Sequence, residues 1–141
     1  MTSTYDRDFY AWTQDQAQFL QLGKFDALDL QHLAEEIADM GRSEKRALES
    51  RLEVLIMHLL KWNFQPNLRS RSWELTIKEQ RMRLQSMLED SPSLRAHLVA
   101  RLDKAYKLAV IAAERETGLN LFPEVCPFTI NQIFDQVNEV N

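Results

Sequence analysis

Leu48, Leu52, Leu55, Leu59 and Trp62 recur at spacings of four, three, four and three residues. That period marks an α-helix with one buried stripe, because strands repeat every two residues. The spacing predicts a helix over 43–65, ended by Pro66, which pushes Gln65 away from helical angles. The same period predicts a helix over 72–90, with Trp73, Ile77, Leu84, Met87 and Leu88 inward. A further one opens at Ser91-Pro92, a cap residue followed by a proline suited to the first helical position. Its stripe is Leu94, Leu98, Leu102, Ala105, Ala109 and Ala112, and Gly118 is its stop. At 1.5 Å per residue each of the three spans ~30–37 Å. Their short connections imply antiparallel neighbours.

Upstream, a helix is expected over 8–22, with Phe9, Trp12, Phe19 and Leu20 on one face and Gly23 as its left-handed stop. Another opens at Asp29 and carries Leu30, Leu33, Ile37 and Met40 at helical spacing. Gly41 is expected to interrupt or kink it, with Ser43 capping the next helix. Downstream, 119–128 reads as irregular, held by Pro123 and Pro127. Thr129-Ile130-Asn131-Gln132 then reads as a capping box opening a short helix. No segment alternates with a period of two. The expected class is therefore all-α: a mostly antiparallel bundle of five to six helices, three of them long and central. A single domain is expected over 1–141, with its core at about 5–134 and frayed last residues.

Composition narrows the class further. Apolar residues make up 45% and charged residues 27%, which excludes global disorder. The longest uncharged apolar run, 54–60, is broken by His58 and is too short to span a bilayer, so no membrane association is expected. The opening Met1-Thr2-Ser3-Thr4-Tyr5-Asp6 lacks a basic start and an apolar block, so no export signal is expected. A lone cysteine, Cys126, excludes an internal disulfide framework, and a reducing cytoplasm is expected. Net charge is −4 but unevenly spread. Residues 1–40 hold two basic and eight acidic groups, 41–113 fourteen and eight, and 114–141 one and five. Either acidic ends fold against a basic centre, or the centre offers a basic face to an anionic partner.

Strong catalytic signatures are absent. Glycines at 23, 41 and 118 alone allow no phosphate loop, and there is no HExxH, CxxC, nucleophile elbow or paired Glu-x-x-His. His32 stands near Glu35 and Glu36 without further ligands at fixed spacing, so neither a metal nor a cofactor is expected. His58 interrupts an apolar run. It reads either as a core-edge histidine bonded to a carboxylate or as a titrating group in a pocket, with Lys61 and Trp62 on roughly the same side. The segment with Arg69, Arg71, Trp73, Lys78, Arg81 and Arg83 is basic with an aromatic inside it. It reads either as a phosphate-gripping, base-stacking surface or as a solvated face paired with Glu74, Glu79 and the acidic first forty residues. Cys126, between Pro123 and Pro127, is either a small apolar residue in a rigid turn or a thiol needing a neighbouring base.

Several segments together resemble a known family. They are Tyr5-Asp6-Arg7-Asp8-Phe9 with Trp12, Leu33-Ala34-Glu35-Glu36-Ile37, Leu48-Glu49-Ser50-Arg51-Leu52 and His58-Leu59-Leu60-Lys61-Trp62. Arg71-Ser72-Trp73 with Ile77 and Arg81, Pro92-Ser93-Leu94, Glu116-Thr117-Gly118-Leu119 and Phe122-Pro123-Glu124-Val125-Cys126-Pro127 complete the set. In that order they resemble the bacterial domain-of-unknown-function family twenty-nine, from Tyr5 to about Phe134. Asp135-Gln136-Val137-Asn138 replaces the family's usual proline-containing finish. The resemblance implies a compact helical fold, no established activity, and motif positions at Glu35, Glu36, His58, Lys61, Trp62, Trp73, Arg81, Glu116 and Cys126.

One function is expected first, with two alternatives. The first is a non-enzymatic interaction or regulatory module with a protein partner, motivated by aromatics near both ends (Tyr5, Phe9, Trp12, Phe128, Phe134). The second is a small-ligand binder or enzyme. Glu35, Glu36 and Glu116 would be its carboxylates, His58 its general acid or base, and Lys61 and Arg81 its anion grips. The third is a nucleic-acid binder through the basic segment.

Overall fold

The computed structural model describes residues 3–135. Among them are six α-helices and no strand: α1 (Thr4–Arg7), α2 (Phe9–Gln21), α3 (Leu30–Phe64), α4 (Arg71–Asp90), α5 (Leu94–Thr117) and α6 (Ile130–Phe134). Helices α3, α4 and α5 are the three long central ones that the spacing predicts. Short 3-10 turns lie at Phe25–Ala27 and Pro66–Leu68. No helix of the described residues is long and apolar enough to cross a membrane. The chain separates into two compact units, one ending at Ser43 and one starting at Glu44, and α3 contributes to both.

In the first unit, α1 precedes α2, and the Asp8 carboxylate accepts from the Ala11 N–H to cap α2. Gly23 follows the helix at φ 70°, the left-handed conformation that glycine tolerates. The expected interruption at Gly41 is absent. The helix passes through it, and Ser43 lies in the helix interior rather than at a cap. One glycine costs about 1 kcal/mol against alanine. That is less than breaking and renucleating a helix demands.

In the second unit, the stripe Leu48, Leu52, Leu55 and Leu59 is fully buried. It meets Ile77 and Leu84 of α4 and Leu98, Ala105, Tyr106, Ala109 and Ala113 of α5 in one core. Lys61 lies against Trp73 and Arg51 against Gln80, so α4 runs antiparallel to α3. Glu49 meets His97 and Arg101 while Lys61 meets Glu116, so α5 runs parallel to α3. The result is an up-down-up three-helix bundle.

Two details differ from expectation. Pro92 sits in the turn before α5 rather than at its first helical position, and Ser93 occupies the cap. Ala113, four residues beyond Ala109, takes the buried place expected of Ala112. Gly118 closes α5 at φ 74°. The capping box at Thr129 and Gln132 forms as the sequence predicts. Of the altered finish, residues 136–138 lie outside the described residues.

Candidate functional site

Near the end of α3, Lys61 meets Glu116 and Trp73. Lys61 follows the last core leucines, so its stem enters the apolar interior. Its side chain is only 3% exposed. A buried ammonium needs compensation, and it has two sources. Glu116 accepts from Nζ at 3.0 Å, and the Trp73 ring lies 4.8 Å below it, using the negative face of the indole. Glu116 itself is half-exposed.

His58 stands one turn earlier and is half-buried. Its partner is not a carboxylate. Nδ1 faces the Val54 carbonyl at 2.8 Å, which places the proton there and leaves the lone pair on Nε2. Burial pushes its pKa down, and the Lys61 charge acts in the same direction. In the first unit His32 is the opposite case. Its Nδ1 meets Asp29 at 2.6 Å, its ring stacks on Tyr5 at 3.8 Å, and the Asp29 hydrogen bond pushes its pKa up.

The two histidines should therefore titrate on opposite sides of 6.5 in an NMR pH titration, His58 below and His32 above. The linkage signs are opposite too. Stability contributed by charged His32 is present below its unfolded pKa and is lost as pH rises through the folded value. Protonating His58 favours the unfolded chain, so stability falls as pH drops from 6.5 towards its folded value. His58→Gln should flatten that acid limb alone. A His58 titration above 6.5 would refute the account.

The other motif positions go elsewhere. Trp62 turns to Arg69, whose guanidinium stacks 4.8 Å over the indole and whose Nε donates to the Trp62 carbonyl at 2.8 Å. A cation thus satisfies the carboxyl end of α3. The Trp62 indole N–H is buried without a partner among the described residues. Arg81, 6% exposed, donates from Nε to the Ile133 carbonyl at 2.8 Å and from an Nη to the Gln132 carbonyl at 2.9 Å. It holds α6 against α4. Burial pushes its pKa down. The Cys126 Sγ lies 3.5 Å from the Phe128 carbonyl, and burial pushes the thiol up, away from the thiolate form a nucleophile requires.

Glu35 and Glu36 belong to the first unit, where the Tyr5 hydroxyl donates to Glu36 and is itself pushed up to about 12 by that bond. Of the basic segment, Arg71 pairs with Glu74 and Arg83 with Glu79. Lys78 is exposed and lines an open cleft of about 380 Å³ with Arg81 and Phe134. No group of three His, Cys, Asp or Glu side chains among the described residues could hold a metal ion.

Two polar networks use none of the site residues that the sequence singles out. Trp12 Nε1 donates to Asp29 at 3.0 Å, joining His32 and Tyr5 in one aromatic and acidic cluster. The spacing of three between Asp29 and His32 is its only local signal. The other joins Glu49 to His97 at 2.9 Å and to Arg101 at 2.8 Å, with Arg101 and then His97 holding that carboxylate below its usual range. Glu49 is 48 residues from His97, so no local pattern announces the contact.

The first unit leaves several large apolar side chains exposed. In the first unit Trp12 is the one hydrophobic residue fully buried among those described, while Leu30, Ile37 and Met40 on α3 are 70%, 66% and 67% exposed. Tyr10, Leu22 and Phe25 are also more than half exposed. Of the end aromatics, Trp12 and Phe128 are buried, Tyr5 and Phe134 half-buried and Phe9 exposed. No curated protein and no solved structure matches this chain. Residues 4–137 match the family described as domain of unknown function DUF29, and the chain, matched over nearly its whole length, belongs to that family.

Proposed function

We propose that this chain is a protein-interaction module that presents the apolar side chains of its first unit to a protein partner. The observation that carries this reading is the exposure of Leu30, Ile37 and Met40 on one helix. Single exposed apolar residues are ordinary, but large ones clustered on one element favour a covering partner. The polar cluster of the second unit weighs less. The Lys61 ammonium is already met by Glu116 and Trp73, so a structural tie between α3, α4 and α5 accounts for it. In the basic segment Arg71 and Arg83 are spent on Glu74 and Glu79, Arg81 on α6, and the Trp73 face on Lys61.

The test is capture of the tagged full chain from its native host, with mass spectrometry and an absorbance ratio for nucleic acid. A stoichiometric protein partner should be retained by His58→Ala and lost with Ile37→Glu. Loss with His58→Ala alone, or retention by both variants, would move the function away from this surface.

A further inference from the structure

The open face of α3 in the first unit is self-complementary. At 100° per residue, Leu30, Leu33, Ala34, Ile37, Ala38 and Gly41 fall within an arc of about 140°. Leu33 is half-buried and the other five are exposed. Nothing lies within 4 Å of where a Gly41 side chain would begin. The unit's own aromatics use a different side of the helix: Tyr5 reaches His32 and Glu36, and Trp12 reaches Asp29.

We propose that a second copy of this chain covers the face, its α3 running antiparallel about a two-fold axis between Glu35 and Glu36. The inference rests on the reading of the first unit as an interaction surface and names its partner. In this register Leu30 lies level with Gly41 of the other copy, Leu33 with Ala38 and Ile37 with Ala34, each in both directions. Every large side chain meets a small one, as close helix packing requires. Moving the axis onto Glu35 sets Leu30 on Met40 and Leu33 on Ile37. A parallel pair sets each residue on itself, large on large and gap on gap.

Area and the uncharged contact face agree with this occupant. Leu30 and Ile37 each offer roughly 100 Å² of apolar surface, Met40 adds about as much at the rim, and with the small residues and flanking stems of both copies the contact reaches about 1,000 Å², the lower bound for a specific interface. The six facing residues carry no charge. Glu35 and Glu36 lie about 130° to either side of the face centre, outside the contact. Residues 1–43 hold eight acidic and three basic groups, so the copies repel at long range. Added salt therefore strengthens this dimer, whereas it would weaken the hold on a basic partner helix.

Sedimentation equilibrium of the full chain from about 1 to 500 µM tests the proposal, with a reversible dimer in the micromolar range expected. Ala34→Leu, which clashes with Ile37 across the axis, and Ile37→Ala, which leaves a gap, should each weaken it about tenfold. Ala34→Leu combined with Ile37→Ala should restore it, because large and small then exchange places across the axis. Both positions are exposed in the single chain, so the circular dichroism of dilute protein should be unchanged and reports on folding. A monomer at every concentration, a dimer indifferent to the single changes, or no recovery in the double variant would overturn the proposal. A monomer that still captures another protein, and loses it with Ile37→Glu, would overturn self-pairing while leaving the interaction reading intact.

Discussion

Arg81→Ala is expected to release α6 from α4 and to cost about 3 kcal/mol. The guanidinium is buried and donates to the carbonyls of Gln132 and Ile133. Alanine leaves both acceptors unmet in a desolvated place, and charge-assisted bonds of this kind contribute about 1.5–3 kcal/mol each. Ile133, fully buried, loses its cover when α6 lifts. The thermal midpoint of the second unit should fall by about 15 °C. Hydrogen exchange should rise first at 130–135. Arg81→Lys should recover only part of the loss, since an ammonium cannot reproduce the guanidinium fork. A variant that melts like the parent with α6 still protected would show that Arg81 does not hold this element.

Leu55→Ala should cost about 3–4 kcal/mol, the range for deleting a buried leucine side chain whose surroundings collapse only partly. Leu55 is 0% exposed and sits mid-stripe between α4 and α5. The matched control is Ile37→Ala on the same helix, where the side chain is 66% exposed. At concentrations where the chain is monomeric, its cost should stay near 0.5 kcal/mol. Urea denaturation followed by circular dichroism measures both. Equal losses at the two positions would mean that the first part of α3 is covered in the single chain.

That contrast marks the limit of periodicity. Leu48, Leu52, Leu55 and Leu59 and the stripe Leu30, Leu33, Ile37 and Met40 are written in the same helical period. One is core, while Leu30, Ile37 and Met40 of the other face solvent. Periodicity reports that a face is apolar, not what covers it. Gly41 shows a second limit. Local propensity marks it as a break, yet helix propagation on both sides carries the chain through.

The candidate site was partly legible for the same reason. Lys61, His58, Trp73 and Glu116 stand out because each is polar or amphipathic within apolar helices, and Lys61, Trp73 and Glu116 do meet. The motif order alone could not send Arg81 to the α6 carbonyls or Trp62 to Arg69.

Helix content, the stops at Gly23 and Gly118 and the capping box at Thr129 were determined locally. Each depends on a few neighbouring residues and on the backbone geometry they allow. Which partner each polar group found, and which apolar stripe stayed open, was decided only by tertiary structure. Those choices depend on contacts between residues tens of positions apart, whose energies no local pattern encodes. Glu49 with His97, Lys61 with Glu116 and Arg81 with Ile133 are such contacts.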